Sequence, residues 1–139
     1  MRKYIGLDLG DVRIGVSTCD SLGILATGLL VIDRTKEDPI KKILEICEQE
    51  NTYKLVIGKP LRLSDASEIQ VEKYDKFADE LKKANDRIEI NFIDERYTTK
   101  EAEYYLKNFS KKNGKKRRQV VDMVASTIIL QTFLNKIKL

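Results

Sequence analysis

Only two residues, Gly10 and Asp11, separate two strand-like runs at the start of this 139-residue chain. Residues 3–9 and 12–20 both carry the composition of strands. A parallel crossover needs a dozen or more residues, so a link this short forces the two runs to pair antiparallel. Residues 24–32, rich in Leu, Ile and Val, follow over another short link and extend the pair to a three-stranded meander.

The hydrophobic period then changes. Ile40, Ile43, Leu44 and Cys47 stand at i, i+3, i+4 and i+7, the stripe of an amphipathic helix. Asp38 is placed to cap it, and Pro39 falls at its first position. Leu55 to Ile57 form a short buried strand ending in Gly58-Lys59-Pro60. A second helix carries Tyr74, Phe77, Ala78 and Leu81 on one face, and Ile88 to Asp94 alternate as a fifth strand. Thr98 and Glu101 match a capping box for a third helix with the stripe Ala102, Tyr105, Leu106 and Phe109. A last helix is expected from about Arg118 to Lys136. The order β-β-β-α-β-α-β-α-α implies an α/β fold: a mixed five-stranded sheet, three antiparallel strands and then α-connected parallel ones, with helices on both faces. Residues 1–139 are expected to form a single domain. Sites in such sheets gather at the carboxyl ends of strands.

Several chemistries are excluded. The chain has no histidine, which removes catalytic triads and His-ligated zinc. Two cysteines, Cys19 and Cys47, are too few for a thiolate zinc site or a disulfide framework, and both lie in apolar segments as inert thiols. No apolar run approaches the roughly 18 residues of a membrane helix, so no membrane association is expected. Asp8 interrupts the short apolar stretch from Tyr4, which argues against a secretory leader. A reduced, cytoplasmic setting is the expectation.

Charge is concentrated. The chain has 26 Lys and Arg against 22 Asp and Glu, a balance of +4. Lys111, Lys112, Lys115, Lys116, Arg117 and Arg118 supply six of those cations within eight residues that contain no acid. Without them 20 cations face 22 acids, so the basic character comes from one stretch. Such a stretch suits either a solvated loop or a polyanionic partner.

Three acidic positions stand out. Asp8 ends an apolar strand, where a carboxylate costs several kcal/mol unless a cation or a set of turn hydrogen bonds compensates it. Asp122, one turn into the expected last helix, lines up with Ala125, Ile129 and Phe133 and so faces the core. Asp94 and Glu95 close the fifth strand, and because strand residues alternate, only one of them can share a face with a given partner. Oxygen ligands without His or Cys suit Mg²⁺ or Mn²⁺, one or two ions. Clustered carboxylates holding such ions hydrolyse phosphodiesters, and a nearby basic segment would hold a nucleic-acid backbone.

These residues resemble the YqgF family, also called RuvX: RNase H-like proteins described as Holliday-junction resolvase-like and as nucleases maturing the 5′ end of pre-16S rRNA. Four segments carry the resemblance. They are Gly6-Leu7-Asp8-Leu9-Gly10 through Arg13-Ile14-Gly15-Val16 to Asp20; Ile57-Gly58-Lys59-Pro60-Leu61 with Ser67-Glu68-Ile69-Gln70; Asp94-Glu95-Arg96-Tyr97-Thr98-Thr99 with Ala102; and Val121-Asp122 through Ala125 to Ile129-Leu130-Gln131. The resemblance implies an RNase H-like fold. It also implies a catalytic, metal-holding set of Asp8, Glu95 and Asp122 in a metal-dependent nuclease. Lys59, Ala66 and Tyr97 replace the usual Leu, Gly and Leu of the family. True junction resolvases carry their second acid at the end of the fourth strand, where this chain has Gly58-Lys59-Pro60, so Glu95 or Asp94 would have to supply it.

Arg13 suits either a phosphate contact near Asp8 or an ion pair with a neighbouring acid. Arg96 reads as an orienting group, Thr98 as a helix cap, Gln70 and Gln131 as surface side chains, Tyr105 as core and Tyr104 as a side chain off the stripe. The leading function is cleavage of structured nucleic acid, RNA or branched DNA, with pre-16S rRNA processing favoured. Two alternatives stand beside it: a binding module that does not cut, and a relative of sugar kinases and actin-like ATPases, which open with a similar strand–turn–strand to grip ATP phosphates. Length argues against the latter, since those enzymes close two such domains around the nucleotide and 139 residues supply one. A monomer would suit single-strand cuts in RNA, and a dimer, weak or otherwise, paired cuts in a junction.

Overall fold

The structure, a computed structural model, describes residues 2–60, 68–94 and 114–137. Its elements run β1 (Ile5–Leu9), β2 (Arg13–Cys19), β3 (Ala26–Asp33), α1 (Pro39–Glu50), β4 (Lys54–Lys59), α2 (Glu68–Ala84), β5 (Glu89–Asp94) and α3 (Gly114–Ile137). The helix expected after Thr98 lies outside the described residues, as do Glu95, Arg96, Tyr97, Tyr104, Tyr105, Lys111 and Lys112.

The five strands form one mixed sheet in the order β3-β2-β1-β4-β5. β1 pairs antiparallel with β2, and β2 with β3, as the short links demand. β1 runs parallel to β4, and β4 to β5. The first link is one residue longer than expected. β2 begins at Arg13, and the Gly10 N–H closes the turn on the Arg13 carbonyl at 2.9 Å. Asp20 shapes the second hairpin, its carboxylate accepting from the Ile24 and Leu25 N–H groups at 2.8 Å. Those bonds hold its carboxyl below the ordinary aspartate value. α1 starts as its sequence promises: Asp38 accepts from the Ile40 N–H at 3.0 Å and Pro39 follows it.

Strand alternation splits the sheet into two faces. Ile5, Leu7, Ile14, Val16, Ile32, Leu55 and Ile57 look one way, and α1 and α2 cover them with Ile43, Ile46, Cys47, Phe77 and Leu81. The opposite face carries Cys19, Ala26, Val56 and Ile93, packed under Ile129, Leu130 and Leu134 of α3.

α3 departs from expectation in two ways. It begins at Gly114 rather than near Arg118, because Lys, Arg and Gln are good helix formers and continue the helix back through the basic stretch. Lys115, Lys116, Arg117 and Arg118 therefore lie in its first turns, and Asp122 sits two turns in, not one. The helix also contains an 18-residue stretch, Val120–Ile137, with mean hydropathy 1.3, long and apolar enough to cross a membrane. Scattered Ser, Thr, Gln and Asn residues hide that stretch when only unbroken apolar runs are sought. In this fold its Ala125, Ser126, Ile129, Leu130 and Leu134 are buried against the sheet.

α3 lies unusually close to β1 and β2. A Cβ on Gly15 would overlap the Asp122 carbonyl, and one on Gly6 would overlap Ser17 Oγ and come within 2.8 Å of Leu130 Cβ. The Ser17 hydroxyl donates to the Ser126 carbonyl at 2.9 Å, and the Ser126 hydroxyl donates to the Gly6 carbonyl at 2.9 Å. Both serines are fully buried. Gly15→Ala is expected to cost about 3 kcal/mol or more, or to prevent folding, because backbone rather than a flexible side chain must give way. Gly28→Ala is the matched control: its Cβ would meet Met123 Cβ at 3.4 Å and should cost about 1 kcal/mol or less. Urea midpoints of the two variants check this, and equal losses would overturn it.

Candidate active site

Asp8 is the fourth residue of β1 and shares its parity with Gly6, so it points to the α3 side of the sheet. Its partner across the ladder is Gly15. Because Gly15 touches the Asp122 backbone, the close approach of α3 sets Asp122 beside Asp8. Arg13 has the parity of Gly15 and Ser17 and joins them on this side. Its Nε donates to Asp122 Oδ2 at 2.7 Å. The Arg13 and Asp122 side chains are 32% and 19% exposed, so this pair is partly desolvated.

The two acids differ in their partners. Asp122 has Arg13, whereas among the described residues none donates a hydrogen bond to the Asp8 carboxylate. The Asp8 carboxyl is pushed up from 3.8 to about 6, first by burial and then by the negative charge of Asp122. Hydrogen-bond capping of the Gly10 turn by this carboxylate, one of the two sequence expectations, does not occur; the backbone bond from Gly10 to Arg13 closes that turn.

β4 brings no acid to this edge. Gly58 has the parity of Val56 and faces α3 without a side chain. Lys59 turns to the other face, its Nζ 3.9 Å from the Phe92 ring centroid and 3.0 Å from Asp75 Oδ1. β5 follows the same alternation: Ile93 packs under α3, while Phe92 packs with the α1–α2 core. Asp94, next to Lys59 across the ladder, is therefore on the face opposite Asp8. Among the described residues no group of three potential metal-ligating side chains occurs, and Asp8 with Asp122 form a pair.

Two residues acquire roles the sequence did not disclose. Arg34 donates to the Gly10 carbonyl at 2.8 Å, bracing the turn after Asp8 while its guanidinium lies 5.4 Å from the Phe77 ring centroid. Gln131, expected as a surface side chain, accepts from the Ala26 N–H at 2.9 Å and donates to the Ile24 carbonyl at 3.0 Å. It fastens the β2–β3 hairpin to α3. Neither contact has a local signal, since both span 24 or more residues of sequence.

The raised Asp8 carboxyl has a measurable consequence in metal-free protein. The fold holds this proton more tightly than the unfolded chain, so between pH 3.8 and about 6 stability falls as pH rises. The contribution is whole below that window and lost above it. In EDTA, Asp8→Asn is expected to gain on wild type by roughly 2–3 kcal/mol between pH 4 and pH 7, read from urea midpoints. A difference that stays constant with pH would refute the assignment.

With this geometry in place, the chain can be set beside known proteins. Residues 2–136 match the family model described as RuvX, Holliday junction resolvase. A Fusobacterium nucleatum protein named "Putative pre-16S rRNA nuclease" is 43% identical over 135 residues, which covers 97% of this chain and 98% of that protein. A Crocosphaera subtropica protein of the same name is 38% identical over 133 residues, covering 95% and 92% of the two chains. Two solved structures share the fold. The fowlpox virus resolvase in complex with Holliday junction DNA superposes with a TM-score of 0.60 at 11% identity, covering 98% of this chain and 99% of that one. Thermus thermophilus RuvC with a Holliday junction gives 0.56 at 12% identity, covering 98% and 96%. The mixed sheet read from the short links is thus the RNase H-like sheet of these resolvases, and the chain belongs to the RuvX family.

Proposed function

We propose that this chain, as one domain over residues 1–139, is a metal-dependent nuclease of the bacterial cytoplasm. Its substrate is structured RNA, and its task is processing of the 5′ end of pre-16S rRNA. One observation carries the reading: a half-buried carboxylate, Asp8, has no hydrogen-bond donor among the described residues and faces a second carboxylate, Asp122. Such a pair is costly unless a cation joins it. The pair offers oxygen atoms only, which fits Mg²⁺ or Mn²⁺.

Asp8, Asp122 and Glu95 are the residues assigned to hold one or two such ions. Asp94 falls on the face opposite Asp8, and Glu95, outside the described residues, is the acid that the family resemblance names. A divalent ion in this set would supply a hydroxide nucleophile and stabilise charge on the phosphate oxygens. The chain's own residues do the rest. The α3 backbone holds Asp122 against β2, and Gly58 brings no side chain to the neighbouring strand end. The cations at 115–118 stand in the first turns of α3, where the positive end of the helix dipole adds to their charge. With Lys111 and Lys112 they are assigned to the nucleic-acid backbone.

RNA is preferred because curated relatives up to 43% identical carry the pre-16S rRNA name over nearly their whole length. Junction DNA, which the family description names, is the competing substrate and an arm of the same experiment. Labelled pre-16S leader RNA and a four-way DNA junction are incubated side by side with Mg²⁺ or Mn²⁺ and with EDTA. Cleavage is expected to need the ion, to favour the RNA, and to fall about 100-fold or more in Asp8→Asn, Asp122→Asn and Glu95→Gln. Variants that cut as well as wild type would sink the nuclease and leave a binding module. Replacing Lys115, Lys116, Arg117 and Arg118 by Ala should weaken RNA binding and flatten its salt dependence, by about 0.7 in log–log slope for each single-strand phosphate that the helix start no longer neutralises. An unchanged slope would remove the segment from the interface.

A further inference from the structure

Arg13 is already paired with an acid. Its Nε is 2.7 Å from Asp122 Oδ2, a contact that joins residues 109 apart in sequence. It opens β2 two residues before Gly15, the ladder partner of Asp8. Two carboxylates and one guanidinium thus share a partly desolvated notch, and the guanidinium hydrogen-bonds only one of the two acids.

We propose that Arg13 is a resident counter-ion: it holds Asp122 in place of a divalent cation and lets go when the cation binds. The inference rests on the Asp8–Asp122 site proposed above and adds an order of events to it. A dication between the two acids needs a lone pair of Asp122 and brings two positive charges close to a guanidinium that already uses that carboxylate. Like charges repel strongly where the side chains are partly desolvated. Asp8 has no such partner to give up among the described residues, so the asymmetry makes Asp8 the open ligand and Asp122 the latched one. Once released, the guanidinium remains tethered at the mouth of the site by β2, beside the place where a phosphate would meet the ion. Its planar fork suits that anion. Cation binding then precedes the Arg13–phosphate contact, and Arg13 is a positioning residue for Asp122 until the ion arrives.

Binding of Mn²⁺ to the full chain, followed by electron paramagnetic resonance without nucleic acid, tests this. Wild type, Arg13→Gln, Arg13→Lys and Asp8→Asn are compared. Arg13→Gln is expected to bind Mn²⁺ about tenfold more tightly, because a repelling charge is gone. Arg13→Lys keeps the charge and should stay within about twofold of wild type, and Asp8→Asn should lose about tenfold or more. In wild type, the Arg13 Nε–H resonance should leave its hydrogen-bonded position during a Mg²⁺ titration, at the midpoint of ion binding. That arm needs no variant to fold. Unchanged or weaker Mn²⁺ binding in Arg13→Gln, Arg13→Lys as tight as Arg13→Gln, or an Arg13 resonance blind to saturating Mg²⁺ overturns the release. If Asp8→Asn still loses the ion in that case, the metal site itself stands. If wild type and Asp8→Asn bind Mn²⁺ equally, the site and the counter-ion role fall together.

Discussion

The placement of α3 on the sheet depends on a contact with almost no side chain in it. Gly15 of β2 meets the backbone of Asp122, and Gly6 of β1 meets Leu130 and the Ser126 carbonyl. Side chains at either glycine would hold the helix away. Close approach brings backbone polar groups together in a dry interior, where an unpaired one costs about 1–3 kcal/mol. The buried Ser17 and Ser126 hydroxyls avoid that cost for themselves by bonding the facing carbonyls, with their oxygens 2.9 Å apart. A helix bonded in this way cannot rotate or slide without breaking buried hydrogen bonds. The position of the Asp122 backbone is therefore set by the packing of apolar and small residues around it.

The same contact explains the electrostatics of the notch. β1 and β2 pair Asp8 with Gly15, so among the described residues the bulk opposite Asp8 comes from α3. What α3 presents there is a second acid. Burial and like charge then act in the same direction on Asp8, and its carboxyl rises to about 6. Arg13 offsets the charge of Asp122 from the β2 side. A purely structural ion pair would be served by one acid and one base. Here a second acid is added at a place where it makes the fold less stable at neutral pH, and perturbed carboxyls of that sort cluster at functional sites.

Much of this was legible in the sequence, and what was legible followed simple rules. The meander came from links too short for any other pairing, and the helix α1 from its stripe, its Asp38 cap and Pro39. Asp122 could be placed facing inward because Ala125 and Ile129 repeat on its side, and both are buried. Other features were not legible. The start of α3 was hidden because Lys and Arg signal charge more loudly than they signal helix, although they favour both. The placing of Asp94 on the face opposite Asp8 needed the phase of β5 relative to β1, and that phase appears only when Phe92 and Ile93 are seen on their two faces. Gln131 and Arg34 act through partners far away in the chain, and no spacing rule reaches them. The Arg13–Asp122 pair is the same kind of case: either residue alone is ambiguous, and only the α3 crossing joins them.

α3 combines three demands in 24 residues, about 36 Å of helix. Its last part must bury Ile129, Leu130 and Leu134 against the sheet. Its middle must approach the sheet closely enough to present Asp122. Its first turns carry four cations and no acid, the least favourable arrangement for a helix start, because their charges add to the positive end of the dipole. Apolar burial and the serine bonds hold the later turns. A helix start of that kind gains more from a polyanion than a neutral one would, since phosphates relieve both the mutual repulsion of the cations and the dipole. Phosphates drawn to that end would lie about 12 Å or less along the axis from Asp122, the length of eight residues of helix. The element that fixes the second acid is thus also the element whose charge is best served by the substrate proposed for it.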